Sequence, residues 1–463
     1  MKAPFYFLIV FGCQMNKNDA ERLETILQNA GWSRTENQEE ADAIFIVTCS
    51  VRQSAEDRVY GLARNFAKLR CKNPGLLIGI TGCMAGRDTD GKIKKRLPFV
   101  DFFFPINEMT KLPEWLAAKQ QSFTKVDDDR SAYLKTSAKN SENFRAFVSI
   151  QTGCNKFCSY CVVPYARGRE KCRPVKDTLD EIHRLAKNGC LEVTLLGQAV
   201  NNYIAPDPEN FSPENPYSKG LLPPSPSFGG YDRRARNDGG WNDFAALLWE
   251  INQVPGLKRI HWTAAYPNHM TDEVIDALTL PLQANYLHLP VQSGDNEILR
   301  RMNRRHTREL YLEIIKKIKA KRPGIALGTD IIVGFCGETE EQFENTLDLY
   351  RQCDFDISYH ARYSSRSGTL AAKIFKDDVS KDEKRRRWQK IQNLMEETTM
   401  RKNQKFQDQV LEVLVDRCEN GVCWGTTNEM KVASFPGGPE LVGRIVKMKV
   451  ERADVWVLFG NQI

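Results

Sequence analysis

The sequence predicts an α/β protein in three parts: an N-terminal open parallel α/β sheet, a partial (β/α)6 barrel and a small C-terminal β-barrel. Three observations predict it. Over the first hundred residues short apolar runs alternate with amphipathic stretches; from Phe147 the same alternation resumes on a longer span; from about residue 407 it gives way to two-residue periodicity with spaced glycines. A chain of 463 residues also exceeds what one ordinary core serves.

Apolar runs at 5–11, 43–47 and 76–80, with helical patterns at 19–30 (ending at Gly31) and 52–69 between them, set a βαβαβ rhythm. The opening, Lys2 then residues 5–11 then Gly12-Cys13, superficially looks like a secretory leader with a lipoprotein-type cysteine. Its apolar run is short and a single lysine leads it, so a buried first strand is expected. Residues 1–118 form this unit, and 119–143, polar and carrying Asp127-Asp128-Asp129, read as a linker. Residues 144–380 carry strand candidates at 147–151, 192–196, 259–264, 285–290, 326–333 and 357–363, with helices at 178–188, 243–253, 307–321 and 340–351. Six β/α units fit a partial barrel with its active site at the carboxyl ends of the strands. The segment 204–240, rich in Pro, Gly, Asn and Ser and carrying Arg233-Arg234-Ala235-Arg236, interrupts the rhythm and is expected to project from that face. A helix over 381–406 leads to the β-rich tail, 407–463.

Charged residues make up 27% of the chain and mean hydropathy is −0.48. No apolar run approaches the roughly 18 residues of a bilayer span, so a soluble, cytoplasmic protein without membrane attachment is expected. Net charge +7 and a pI near 8.7 permit a nucleic-acid partner without requiring one. Thirteen cysteines without a secretory signal favour thiolates for a metal over a disulfide framework.

The sharpest motif is Cys154-x-x-x-Cys158-x-x-Cys161, just after the first barrel strand and preceded by Gln151-Thr152-Gly153. Three thiolates fall one short of the four protein ligands of closed zinc sites and ordinary clusters. A 4Fe-4S cluster held this way keeps one iron open to a small molecule such as S-adenosylmethionine (SAM), into which it can pass an electron. The competing reading is a zinc knuckle whose fourth ligand is Cys172, Cys190 or one of six histidines; such ligands usually come in a second tight pair, and none lies nearby. Cys13, Cys49 and Cys83 each lie just beyond an N-terminal strand, and parallel topology brings those strand ends to one edge. They are candidates for a second cluster, or else small packed side chains. Cys71, Cys172, Cys190, Cys336, Cys353, Cys418 and Cys423 read as structural, the last two as a fortuitous pair.

Arg300, Arg301, Arg304 and Arg305 form one basic cluster and Lys384 to Arg387, with Trp388, another; each meets phosphates or is a solvated helix face. Arg167 and Arg169 are placed to neutralise a carboxylate or phosphate. Around Gly334 the sequence Gly-Phe-Cys-Gly-Glu-Thr offers a loosened backbone to a flat cofactor, or a plain loop in which Thr339 caps the next helix.

The motifs Phe11-Gly12-Cys13-Gln14-Met15-Asn16, Thr48-Cys49-Ser50-Val51-Arg52, Gly82-Cys83-Met84-Ala85, the stretch from Cys154 through Cys161 to Val162-Val163-Pro164-Tyr165, and His288-Leu289-Pro290-Val291-Gln292-Ser293-Gly294 resemble the methylthiotransferase family of radical SAM enzymes, in its MiaB-type tRNA branch. The resemblance spans nearly the whole chain. It implies an N-terminal methylthiotransferase domain with an auxiliary 4Fe-4S cluster on Cys13, Cys49 and Cys83, a radical SAM partial barrel with its cluster on Cys154, Cys158 and Cys161, and a TRAM β-barrel that helps hold RNA. Two SAM molecules per turnover are implied: one methylates a sulfur carried by the auxiliary cluster, the other yields the radical that opens carbon 2 of an isopentenylated adenosine beside the anticodon (tRNA position 37). The same resemblance makes Tyr160, Gln198 and Gly334 candidates for cofactor contact and Arg167, Arg300, Arg301, Arg304 and Arg305 for RNA contact. A tRNA bearing isopentenyl-adenosine and a flavodoxin- or ferredoxin-like electron donor are the expected partners of a monomer. Departures from the pattern are Cys336 for proline, Ala199 for asparagine, Tyr266 for histidine, and the long 204–240 segment. Alternatives are a methylthiotransferase for threonylcarbamoyl-adenosine or a ribosomal-protein aspartate, and a zinc-stabilised RNA-binding protein without catalysis.

Overall fold

The computed structural model describes residues 3–50, 53–119, 131–139, 142–218 and 242–463. Within them, strands β1 (Phe5–Phe11), β2 (Ser33–Arg34), β3 (Ala43–Thr48), β4 (Leu77–Gly82) and β5 (Phe102–Phe103) form a parallel sheet in the order β2-β1-β3-β4-β5. The continuous apolar run of β3 is buried throughout, as a central strand covered on both faces must be. Leu23, Leu27 and Trp115 pack on one face, Val59, Phe66 and Leu97 on the other. β1 is interior to the sheet yet only partly buried, Tyr6 alone being closed off completely. The short β2 and β5 were not apparent in the sequence; two-residue edge strands carry no readable periodicity.

Residues 52–69, read as one helix, divide at Gly61-Leu62 into Gln53–Gly61 and Ala63–Lys72. Residues 131–139, read as linker, instead form a short helix, Ser131–Lys135, and fold back onto the N-terminal unit. Tyr133 and Leu134, apolar residues in a polar stretch, are buried there, and the Arg22 guanidinium donates to the carbonyls of Tyr133 (2.9 Å), Leu134 (3.2 Å) and Thr136. The aspartates at 127–129 and Val51-Arg52 lie outside the described residues.

The second part carries β6 (Arg145–Ser149), a small antiparallel pair β7 (Gln151–Thr152) and β8 (Lys171–Cys172), then β9 (Glu192–Leu196), β10 (Arg259–Trp262), β11 (Tyr286–His288), β12 (Ala326–Val333) and β13 (Ile357–Arg362). Two three-stranded parallel sheets, β6-β9-β10 and β11-β12-β13, meet through a parallel bridge between Ile260 and Gln283, so six strands curve in chain order into a partial (β/α)6 barrel. The helix Lys381–Gln404 lies along β13 and covers the open edge, with Ile391 and Met395 in the barrel core and Trp388 Nε1 donating to His360 O (3.1 Å). The first part of the 204–240 segment does not project as a free loop. Asp207 accepts from the first backbone amides of helix Val175–Lys187 (2.6 and 3.1 Å), and Phe211 and Asn215 are buried against helix Asp243–Asn252. Its arginines, 233–236, lie outside the described residues.

Strands β14 (Val410–Glu419), β15 (Val422–Thr427), β16 (Val432–Pro436), β17 (Ile445–Ala453) and β18 (Leu458–Gln462) close into a barrel in the order β14-β15-β16-β18-β17, with Cys418 and Cys423 joined across the first hairpin. This barrel docks on the amino-terminal rim of the larger one. Arg145, Glu192 and Arg259 open β6, β9 and β10; Arg145 pairs with Asp416 (2.8 Å), Arg259 donates to Thr427 O (2.7 Å), and Glu192 is held between the two arginines. Among the described residues no helix is long and apolar enough to cross a membrane.

Candidate functional site

The carboxyl ends of β1, β3 and β4 deliver Cys13, Cys49 and Cys83 to one edge. Cys13 caps helix Gln14–Asn29, its Sγ 3.4 Å from Asn16 Oδ1. Gly12, at φ +147°, stands where a Cβ would come within 2.8 Å of the Cys49 Cβ, so glycine permits the close approach. A hydrogen bond with the Cys49 thiol, with Arg167 helping, holds Cys13 down to about 6, whereas burial pushes Cys83 up.

Cys154, Cys158 and Cys161 lie in the loop after β7. Gly153, at φ +75°, lets the backbone fold flat against Arg169, whose carbonyl a Cβ would strike; the Cys154 amide then donates to Gly168 O (3.0 Å). Burial pushes Cys154 up to about 11 and Cys161 higher still. Cys83, Cys154 and Cys161 thus resist ionising in their buried setting unless a cation compensates.

The two trios are adjacent. Cys161 lies in electrostatic range of Cys83 as well as of Cys154 and Cys158. Helix Val163–Arg167, which leaves the second trio, packs on helix Cys83–Gly86, and its last residue, Arg167, points Nε at Cys83 Sγ (3.3 Å) while its other nitrogens meet the Asp19 carboxylate. Tyr133 Oη completes that carboxylate's shell (2.6 Å). Arg167 is therefore buried and fully engaged: of the carboxylate or phosphate expected for it, it meets a carboxylate, and that partner, Asp19, is internal.

The other expected contacts divide. Arg304 sets Nη1 3.8 Å from Cys158 Sγ, donates Nη2 to Pro290 O (2.8 Å) and lies over the Tyr266 ring at 4.5 Å, so it faces the thiols and not solvent. Arg301 covers the Phe375 ring (4.8 Å) and fills the space beside Gly337. Arg300 is exposed and pairs with Glu297 (2.7 Å), and Arg305 is exposed. Tyr160 is half-buried, packs on the cluster of Ile298, Met302 and Phe335, and has Cys158, Arg304 and Cys161 as its electrostatic neighbours. Gln198 keeps a buried Oε1 with no hydrogen-bond partner among the described residues, an acceptor disposed toward a ligand. Gly334 behaves differently from expectation: a Cβ there would strike the Lys384 side chain, and its amide donates to Glu338 (2.6 Å), while Thr339 caps helix Glu340–Cys353. Lys384 and Arg387 of the second basic cluster are buried in pairs with Asp377 and Glu338.

Asp19, Asn16 and the Lys156–His269 contact (2.6 Å) were not singled out by sequence. Helix Gln14–Asn29 buries Asn16, Asn18, Asp19, Glu21 and Arg22, so its polar residues occupy positions that an apolar stripe normally marks. The available signal was the run of polar side chains directly following a candidate ligand.

Among the described residues no three His, Cys, Asp or Glu side chains converge tightly enough for a single ion. A four-iron cluster takes each thiolate on a different iron and asks for a wider spread, so two all-thiol, three-donor sites fit such a group.

Three family models match the chain in succession: the uncharacterized protein family UPF0004 over residues 6–105, the radical SAM superfamily over 148–350 and the TRAM domain over 404–463. Among curated relatives, the tRNA-2-methylthio-N(6)-dimethylallyladenosine synthase of Clostridium botulinum (strain Okra / Type B1) is 37% identical over 99% of this chain and 97% of its own, and that of Caldicellulosiruptor saccharolyticus is 38% identical over 100% and 93%. Among solved structures, the radical S-adenosylmethionine methyltransferase TsrM from Kitasatospora setae, with cobalamin and a [4Fe-4S] cluster bound, superposes with a TM-score of 0.51 at 13% identity over 78% of this chain and 72% of its own, a likeness of fold. With its thiol trios, its barrel and full-length relatives of this kind, the chain belongs to the radical SAM methylthiotransferase family of tRNA-2-methylthio-N(6)-dimethylallyladenosine synthases.

Proposed function

We propose that this enzyme adds a methylthio group to carbon 2 of an isopentenylated adenosine beside the tRNA anticodon. The observation that carries the reading is the adjacency of two three-thiol sites: helix Val163–Arg167, which leaves the second trio, packs on helix Cys83–Gly86, and Arg167 at its end reaches the Cys83 thiol (3.3 Å). Sulfur insertion at a carbon with no acidic hydrogen needs both a C–H abstractor and a sulfur donor within reach of one substrate. The relatives' names supply the substrate class.

In this reading Cys154, Cys158 and Cys161 hold the radical SAM cluster and Cys13, Cys49 and Cys83 an auxiliary one. When bound, the two clusters and two SAM molecules supply the reducing electron, the hydrogen-abstracting radical, the sulfur and the methyl group. The chain's residues do the rest. Arg304 and Arg167 each place a fixed positive charge against one trio, Arg304 beside the Cys158 sulfur and Arg167 beside that of Cys83, where it opposes the effect of burial. Gln198 offers its free acceptor to SAM, and Tyr160 closes the second trio against water. The working domains are 1–118, 144–380 and 407–463, with 381–406 as connector. The chain acts as a monomer supplied with electrons by a flavodoxin or ferredoxin, in the cytoplasm.

Nucleoside mass spectrometry of tRNA from cells lacking the gene tests the reaction: methylthio-isopentenyl-adenosine disappears and isopentenyl-adenosine accumulates. Persistence of the methylthio nucleoside defeats the assignment, and loss of the threonylcarbamoyl analogue instead redirects it. Anaerobic reconstitution should load about eight irons per chain, two clusters of four.

A further inference from the structure

Phe157 lies inside the cysteine triplet, and its backbone sits at φ +50°, a left-handed conformation that a bulky side chain rarely adopts. That turn directs an aromatic ring into solvent, where 43% of the residue is exposed. Asn303, itself at φ +55°, clamps the conformation by donating Nδ2 to the carbonyls of Phe157 (2.8 Å) and Lys156 (3.4 Å). A second ring, Tyr165, stands beside it at 41% exposure, centroids 6.4 Å apart and planes at 80°. The two belong to different turns of the chain, one before Cys158 and one on helix Val163–Arg167, which follows Cys161. The pair therefore stands exposed on the two segments that bracket Cys158 and Cys161. Exposed Arg169 and Arg305 flank the loops that carry it, Arg305 two residues on from Asn303.

Two solvent-facing aromatic rings beside cations and next to the thiol triplet, one of them held in a strained backbone, are poorly explained by folding: inward rings would bury more apolar surface. They match the requirements of an unstacked nucleobase, which needs a flat or edge-on aromatic partner and a nearby positive charge for its phosphate. We propose that Phe157 and Tyr165 form a stacking platform for a base next to the target adenosine, holding the loop of the RNA open so that the target reaches the thiol sites. The proposal rests on the tRNA reading above and deepens it, since it makes these two rings determinants of RNA selection. Arg169 and Arg305 meet the backbone of the same loop.

The test uses the full-length, cluster-loaded protein and an RNA hairpin of anticodon-arm sequence containing isopentenyl-adenosine, with 2-aminopurine as the base beside it. Phe157→Leu and Tyr165→Leu keep bulk without a π face; Phe157→Trp and Tyr165→Phe keep the face. The parent protein quenches the 2-aminopurine on binding. The leucine variants should bind about five- to a hundredfold more weakly, with a brighter probe and an unchanged slope of affinity against salt, while the aromatic variants stay near the parent. Iron content is measured on every variant, and the leucine–aromatic comparison is read between proteins of equal loading; at position 165, outside the triplet, it is independent of the ligand loop. Leucine variants that bind and quench like the aromatic ones overturn the platform. A parent protein that fails to bind the hairpin, or binds it and leaves it unmodified when turning over, refutes the tRNA reading instead.

Discussion

Asp19 and Arg167 form a buried ion pair across two units of the chain, with Arg167 Nη1 3.3 Å from Asp19 Oδ1 and Arg167 Nε facing the Cys83 thiol. A buried pair is a weak source of net stability when both members are present, but removing one strands the other's charge, at a cost of about 3–5 kcal/mol. Asp19→Asn should therefore lower the thermal midpoint of the cluster-free chain, and Asp19→Asn with Arg167→Gln should recover part of the loss. In Arg167→Gln alone, iron per loaded chain should fall toward half, because Cys83 loses its neighbouring cation. Scanning calorimetry and iron assay check both expectations.

The trios divide the labour, and alanine at one cysteine of each separates them. Cys158→Ala should abolish release of 5′-deoxyadenosine. Cys49→Ala should spare that cleavage and still block sulfur transfer. Chromatography of the products from reduced, SAM-supplied protein decides; equal loss of both products in both variants contradicts separate roles.

Gly153→Ala asks an alanine to adopt φ +75° and to overlap the Arg169 carbonyl. Backbone strain of this kind costs about 1–3 kcal/mol, and here the loop must shift to relieve it. The Cys154 amide then leaves Gly168 O, so the radical SAM site should load iron poorly while the N-terminal site loads normally. Absorbance during reconstitution, compared with Cys158→Ala, reports which site is lost.

At the opposite rim of the large barrel, Arg259 ties Glu192 to the backbone of Thr426 and Thr427. Arg259→Ala leaves Glu192 with Arg145 as its remaining arginine and removes the bonds to the Thr426 and Thr427 carbonyls, while Arg145 still reaches Asp416 of the small barrel. Limited proteolysis should then cut more readily between helix Lys381–Gln404 and β14, with a loss in stability below the about 3–5 kcal/mol of a stranded buried charge, because Glu192 keeps Arg145.

Burial in the barrel holds the His261 imidazole down to about 4. Its value in the unfolded chain is near 6.5, so on acidification the unfolded state takes up this proton first. The stability linked to His261 is complete above about pH 6.5 and is lost as pH falls toward about 4. Thermal midpoints of the cluster-free chain should fall across that window, and the difference between parent and His261→Gln should shrink as the pH drops.

Much of the architecture is visible in the letters of the chain. β9 and β12 begin and end where the sequence places them, and β3, covered on both faces, is written as a near-continuous apolar segment. The helix that starts at Gln14 instead of Asp19 was harder to read: its buried face is polar, matched to Arg167, Tyr133 and Ser149, all distant in sequence. Residues 131–139 escaped for a related reason, since Arg22 recruits their carbonyls from more than a hundred positions away.

The sequence by itself determined the order of strands and helices, the three thiols of the triplet and the three strand-end thiols, because periodicity and ligand spacing are local properties of the chain. Tertiary structure decided what those thiols face. It turned Arg167 inward onto Asp19 and Cys83, Arg304 onto Cys158, and Phe157 outward to solvent, since burial, charge pairing and exposure depend on partners that the fold alone brings together.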